Sequence, residues 1–227
     1  MLERNPNRGL EPREQPAYGP AEVAHYVAVP VSTARYWCVG RDHYAALIQP
    51  AQTRPLLLSF VNLVELHVLG AIRRQHRVSM PKVRAALDDV EREMKVSRPL
   101  ANRRFRTDGV GLFVDHYGRL IDASQQGQTV MREILDAALV RIEWNDRDQP
   151  VRLFPYTRKD TAQTAKLIVI DPTVCGGRAV IDRTRIAVEV VAERFKAGDS
   201  FQDLVSDYGC GVEAIQEAIR CELPIAA

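Results

Sequence analysis

The segment SMPKVRAALDDVEREM, residues 79–94, places Val83, Leu87, Val90 and Met94 at steps of four, three and four. That spacing lines the four side chains along one stripe of a helix and turns the charged residues outward. Ser79 stands in the cap position and Pro81 falls in the first turn, where a missing amide is tolerated. Such a stripe has to be covered by apolar surface from other parts of the chain. Carboxylate pairs such as Asp88-Asp89 then read as a solvated face.

Shorter helical patterns surround it. YGPAEVAHYV starts with Pro20 and spaces Val23 and Val27 by four. STARYWCVGR opens on Ser32, a good N-cap, with Ala34 and Trp37 one turn apart. These two short helices, separated by a few residues ending in Pro30-Val31, form a helix-turn-helix candidate. The next stretch holds Pro50 and Pro55 and reads as a loop or small wing. Ser59 caps a helix in which Phe60, Leu63, Val64, Ala71 and Ile72 form the apolar stripe. KVSRPLANRRFR is a basic connector. VGLFVDHYGRLIDAS has two β-prone runs around Tyr117-Gly118 and predicts a hairpin. A helix with Val130, Ile134 and Ala138 inward follows, then a second hairpin around Asp146-Arg147-Asp148.

From Lys166 the pattern is strand, turn, strand, loop, helix, with Gly176-Gly177 as a tight hairpin turn. Two helices close the chain. Ser200 and Asp203 make an acidic capping box, Gly209 and Gly211 bracket the break, and Val212, Ile215 and Ile219 are the buried positions of the last helix. The expected fold is mainly α with small β-hairpins, an α+β chain. Its expected parts are a disordered tail (1–16), a helix-turn-helix domain (17–106), a mixed α/β middle region (107–160), and a hairpin with a three-helix unit (165–227).

Charge separates the two ends. Residues 70–106 hold eleven Lys and Arg against four Asp and Glu, whereas residues 165–227 hold seven against ten. A basic front suits a polyanion, and the acidic back suits some other partner. In the second short helix Ser32, Thr33, Arg35 and Tyr36, with Arg41 after it, are the candidate DNA contacts; an arginine there can read guanine bidentately. Arg73, Arg74, Arg77, Lys82 and Arg84 are candidates for neutralising phosphates. The competing reading has Trp37 and Tyr36 packing a small helical domain and Arg35 solvated.

Local motifs for catalysis are missing. The Gly176-Gly177 pair has neither GxxxxGK[ST] nor GxGxxG around it, and no Lys lies between Lys166 and Lys196. His25, His43, His67, His76 and His116 have no partner at metal-ligand spacing, and Cys38, Cys175, Cys210 and Cys221 form no CxxC. The cysteines read as small buried residues of a reducing compartment, with no metal and no cofactor expected. No apolar run approaches the about 20 residues of a membrane span, and the polar, proline-rich start lacks a signal peptide's apolar core, so a cytoplasmic protein is expected.

Two segments carry resemblances. YGPAEVAHYVAVPVSTARYWCVGR, with LSFVNLVELHVL and RVSMPKVRAAL after it, resembles MerR-like winged helix-turn-helix domains. IDPTVCGGRAVIDRTRIAVEVVAERFKAGDSFQDLVSDYGCGVEAIQEAIR resembles a small bacterial family of unknown function. Gly177-Arg178, Thr184-Arg185-Ile186 and Gly198-Asp199-Ser200 match that pattern, while Ala179, Arg183 and Ala187 stand where Pro, Gly and Pro are usual. That family is similar to antitoxins found beside PIN-domain ribonucleases, and the combination resembles a VapB-type antitoxin.

The resemblance implies a noncatalytic protein with two partners, a cognate PIN-domain (VapC-type) toxin and promoter DNA, acting as a homodimer and in a toxin–antitoxin hetero-oligomer. Arginine is a sensible ligand for the carboxylates around a PIN site's Mg²⁺, which makes Arg183, Arg185 and Arg220 the candidate toxin contacts. For Arg185 an ion pair or cap within its own domain is the competing reading. The alternatives are a free-standing MerR-like regulator and, from another class, a nucleotide-handling enzyme using the Gly-Gly loop.

Overall fold

Helix α3 (Phe60–Arg74) is the axis of the fold. Every residue from Phe60 to Ile72 is buried. The sequence predicts a stripe of five apolar positions; all five are buried, but so is the rest of the circumference, as befits a helix apolar on nearly every side. The computed structural model describes residues 9–41, 45–74, 78–121, 125–158 and 165–222. Expectations for His43, His76 and Arg77 lie outside these residues, as do residues 1–8 of the expected tail.

The polar residues in the first half of α3 and its cap find partners. Ser59 caps the helix, its Oγ accepting from the Asn62 amide at 3.2 Å. Asn62 ties in the preceding loop through Ala51 and Gln49. Glu65 takes two bonds from Arg98, at 2.7 and 3.1 Å, and Arg98 also reaches Glu14 at 3.1 Å. Glu14 belongs to a short 3-10 turn, Pro12–Glu14, beside α3.

Helices α1 (Pro20–Tyr26) and α2 (Val31–Val39) pack together and bury Val23, Val27, Ala34 and Trp37, as their spacing requires. Helix α2 starts two residues earlier than the cap signal suggests. Pro30 is its N-cap, and Ser32 lies exposed inside the first turn without a capping bond. The expected wing is a minimal antiparallel hairpin, β1 (Gln52–Thr53) and β2 (Leu56–Leu57). Helix α4 (Met80–Met94) buries Val83, Leu87, Val90 and Met94.

The hairpin expected around Tyr117-Gly118 is instead helix α5 (Val110–Ile121), entered through a π-type turn, Phe105–Gly109. Val110, Phe113, Val114 and Tyr117 are buried, at steps of three, one and three, which is a helical face. The period outweighs the β propensity of the individual residues. Gly118 makes no turn. A Cβ there would lie 2.8 Å from the Gln128 side chain of helix α6 (Gln125–Leu139), so glycine permits close approach of α5 and α6. In α6 the buried residues are Met131, Leu135, Ala138 and Leu139; Val130 and Ile134 are half-buried on its flank.

Strands β3 (Ile142–Trp144) and β4 (Pro150–Leu153) form the second expected hairpin. Through Leu153↔Ile170 it joins β5 (Ile168–Ile170) and β6 (Ala179–Ile181) in one four-stranded antiparallel sheet. Helices α7 (Val188–Lys196), α8 (Phe201–Tyr208) and α9 (Val212–Glu222) follow. The Ser200–Asp203 capping box is formed, and Gly209 ends α8 in the left-handed region. Ile215 and Ile219 are buried, but Val212, at the exposed start of α9, is not. The architecture is mainly helical with small antiparallel sheets. Among the described residues no helix is long and apolar enough to cross a membrane.

Candidate functional site

The connection from β5 to β6 is longer than the tight turn expected, spanning residues 171–178. Asp171 starts it by accepting from the amide and hydroxyl of Thr173, at 2.8 and 2.6 Å. A 3-10 turn, Cys175–Gly177, follows, with φ of 49°, 65° and 84° at its three residues. The glycines serve different purposes. A Cβ on Gly176 would meet nothing, whereas one on Gly177 would fall 2.3 Å from Tyr18 Oη. The turn's amides are committed internally, Gly177 donating to Val174 O at 2.9 Å and Arg178 to Cys175 O at 3.4 Å, so they do not converge outward as a phosphate cradle requires.

What the turn meets is Tyr18, in the segment leading into α1. The Tyr18 hydroxyl donates to Gly177 O at 2.9 Å, and His25 Nε2 bonds the Cys221 carbonyl at the end of α9. Between α1, the turn and the ends of α7 and α9 lies an open cleft of about 900 Å³. Glu22, Glu189 and Glu222 line it, with Arg178 the one arginine among the described lining residues, 3.1 Å from Glu189. Burial pushes the Glu22 carboxyl above its ordinary value. The Gly19 amide and Arg178 pull it back, and Glu222 and Glu189 push it further up. Burial, with Glu22 and Asp171 nearby, also raises the Tyr18 phenol. No spacing in the sequence announces this cleft, because its walls lie far apart along the chain.

The residues expected to meet DNA divide by environment. Ser32, Arg35 and Arg41 are exposed, Thr33 half-buried, and Tyr36 is half-buried against the core. Arg73 is exposed at the end of α3. Arg74 turns inward, donating to Val27 O at 3.3 Å with its guanidinium carbon 4.6 Å from the Tyr156 ring centroid. Arg141 sits 4.9 Å from the same centroid, and His67 stacks on that ring at 5.0 Å. Lys82 donates to Leu120 O and Arg84 to Ala46 O.

The three arginines expected to meet a toxin also differ. Arg220 is held 2.9 Å from the buried Glu217, which also accepts from Thr157 and Arg158. Burial pushes the Glu217 carboxyl up, but the bonds from Arg158, Thr157 and Arg220 outweigh it and hold the group below its ordinary range. Arg183 and Arg185 are exposed on the loop between β6 and α7. Arg183 has a side chain 91% accessible, 3.7 Å from Asp182, and a backbone φ of 59°. That left-handed conformation is why glycine is the usual residue there in the resembling family. Among the described residues no group of three or more His, Cys, Asp and Glu side chains is placed to hold a metal ion.

The profile of the family described as "Protein of unknown function (DUF433)" matches residues 168–220, from β5 to α9. A Mycobacterium tuberculosis protein named as a candidate antitoxin, VapB45, is 27% identical to this chain, with 90% of this chain and 92% of that protein aligned. Rv2308 of the same organism is 26% identical, with 91% and 90% aligned. The crystal structure of Rv2018 from M. tuberculosis has the same fold over 90% of this chain and 98% of that one, with a TM-score of 0.71 at 24% identity.

Proposed function

We propose that this chain is a cytoplasmic antitoxin of a type II toxin–antitoxin pair, which binds a PIN-domain ribonuclease and holds it inactive. The observation that carries this reading is the likeness to VapB45, which extends over nine-tenths of both chains instead of stopping at the 168–220 segment. In this reading the protein is noncatalytic and dimeric, and it also represses its own operon. Helices α1 and α2 with the β1–β2 wing act as a MerR-like winged helix-turn-helix domain. A dimer suits an operator of two related half-sites.

The exposed loop between β6 and α7 supplies the toxin contact. Its guanidinium groups, Arg183 and Arg185, match the carboxylates of a PIN site, and their exposure leaves them able to reach a partner. Arg183 is a non-glycine residue held in the left-handed region, where an L side chain costs about 1–2 kcal/mol. Arg183→Gly is therefore expected to raise unfolding free energy by about 1 kcal/mol, measured by urea titration, while weakening toxin inhibition. Stabilisation with undiminished inhibition removes Arg183 from the contact.

Co-expression with the neighbouring small open reading frame tests the whole reading. The expected result is a co-purifying complex and rescue of the growth defect caused by that frame alone. A partner that neither co-purifies nor is rescued sinks the proposal. For the DNA-binding half, Arg35→Ala is expected to weaken promoter binding by about tenfold or more in a gel-shift titration, since a bidentate guanine contact is worth roughly 1–3 kcal/mol. Unchanged affinity and sequence preference would remove α2 as the reading helix. The cleft favours a second reading, a free-standing regulator that responds to a ligand.

A further inference from the structure

We infer that Val31 and Val39 are specificity residues of α2, reading thymine methyl groups in the major groove of duplex DNA on either side of the base pair met by Arg35. The inference rests on the DNA-binding half of the reading above. Val39 is 63% exposed and Val31 42%, and they are the large apolar side chains that α2 leaves in solvent while Ala34, Trp37 and Cys38 are buried. Positions 31, 35 and 39 recur at steps of four, so the three side chains form one outward stripe, apolar, cationic, apolar. Arg35 makes no ion pair among the described residues. The stripe therefore offers both kinds of contact that base edges accept, a donor fork for guanine and apolar surface for the methyl of thymine. Valine suits the second task because its branched side chain is stiff and loses little freedom on contact.

Dimensions and charge select DNA over a second copy of the chain. Helix α2 has nine residues, so it is about 14 Å long and about 10 Å wide with its side chains. The outer face of such a helix, about 140 Å², falls far short of the about 800 Å² per partner of a stable protein interface. The major groove, about 12 Å wide and 8.5 Å deep, admits one helix of this size. From Val23 to Arg41 the sequence holds no Asp or Glu. Arg73 is exposed on the last turn of α3, which packs against the α1–α2 link through Gly70 and Arg74. No side chain caps the start of α2, so the positive end of its dipole adds to the potential there. A face with these charges attracts phosphates and repels a copy of itself. Along the helix each valine stands about 6 Å from Arg35, close to two base-pair steps of about 3.4 Å. The favoured site accordingly carries thymines about two base pairs from the guanine.

Fluorescence anisotropy tests this, with the full chain and the duplex lying directly upstream of its own reading frame. In a second duplex every thymine is replaced by uracil, which lacks only the methyl group. The unaltered protein is expected to bind the uracil duplex about tenfold more weakly, a buried methyl group being worth about fourfold in affinity. Val31→Ala and Val39→Ala are each expected to weaken binding of the thymine duplex about threefold, and the double variant to bind both duplexes equally. Both positions are exposed, so folding is expected to survive; thermal melting checks it, and if the double variant does not fold the two single variants decide. Equal binding of the two duplexes by the unaltered protein, with affinity still lost in Arg35→Ala, overturns the thymine reading and leaves DNA binding standing. Absence of binding to the thymine duplex overturns both. A uracil penalty undiminished in the folded variants also overturns the inference, because the methyl contacts then lie elsewhere. So does sedimentation that shows a dimer of the unaltered protein broken into monomers by the two substitutions, since the stripe is then a subunit contact.

Discussion

Replacing Gly177 by alanine is expected to destabilise the protein by about 3 kcal/mol, while the same change at Gly176 costs about 1 kcal/mol. Both residues have positive φ, 65° at Gly176 and 84° at Gly177, so alanine meets the left-handed penalty at either position. Only Gly177 adds a collision. Its Cβ would stand 2.3 Å from Tyr18 Oη and 3.1 Å from Tyr18 Cζ, and Tyr18 is almost fully buried with its hydroxyl engaged on Gly177 O. The phenol cannot swing aside without losing that bond and disturbing the joint between the segment before α1 and the β5–β6 turn. For a chain of this size the difference amounts to roughly 6 °C in melting temperature. Tyr18→Phe removes the nearest clashing atom, so the double variant is expected to be less destabilised than the sum of the two single ones. Additive effects would place the cost of Gly177→Ala in the backbone alone.

Acidification from pH 7 to 4.5 is expected to remove about 2–3 kcal/mol of stability through His67 alone. Burial lowers the pKa of this imidazole from 6.5 to about 3, with Arg74 and Arg141 adding repulsion and the Ala138 carbonyl opposing them. The geometry explains the direction. Nε2 faces Ala138 O at 3.2 Å and carries the single proton, whereas buried Nδ1 has no acceptor among the described residues to receive a second. Between pH about 3 and 6.5 the unfolded chain binds a proton at this site and the folded chain does not, so stability rises with pH through that window. Above it the two states are equally neutral and the contribution is constant. Carboxylates titrate in the lower part of the same window, so the measurement is a difference. The gap between wild type and His67→Phe, from urea titrations at several pH values, should narrow as pH falls from 6.5. A constant gap would show that His67 protonates as readily in the folded protein as in the unfolded one.

His67 also shows where legibility in the sequence ends. Beside Leu63, Leu66 and Ala71 it reads as the flank of an amphipathic helix, yet α3 is buried on every side and His67 lies against Tyr156, which is far away in the chain. Helix α4 is legible throughout, because period, cap and proline agree and its outer face is solvent. Helix α5 is misread because β-prone residues and a Tyr-Gly pair imitate a hairpin; the buried face at Val110, Phe113, Val114 and Tyr117 was present in the sequence as a helical period. The capping box at Ser200 and the hairpin after Ile142 are legible because both are completed by residues close in sequence.

The cleft belongs to the other category. Tyr18 reaches Gly177 across 159 positions and His25 reaches Cys221 across 196, and neither residue is part of a recognisable spacing. The sequence alone determines the helical majority of this protein, its two hairpins in the second half, the caps at Ser59 and Ser200 and its likeness to a small bacterial family, since periodicity and turn chemistry act over a few residues. The tertiary structure decides that α3 is enclosed, that the hairpins share one sheet, that Gly177 exists for Tyr18, and that three carboxylates face a common cavity. Those are consequences of packing between distant segments, where burial and electric field depend on every neighbour in space and on almost none in sequence.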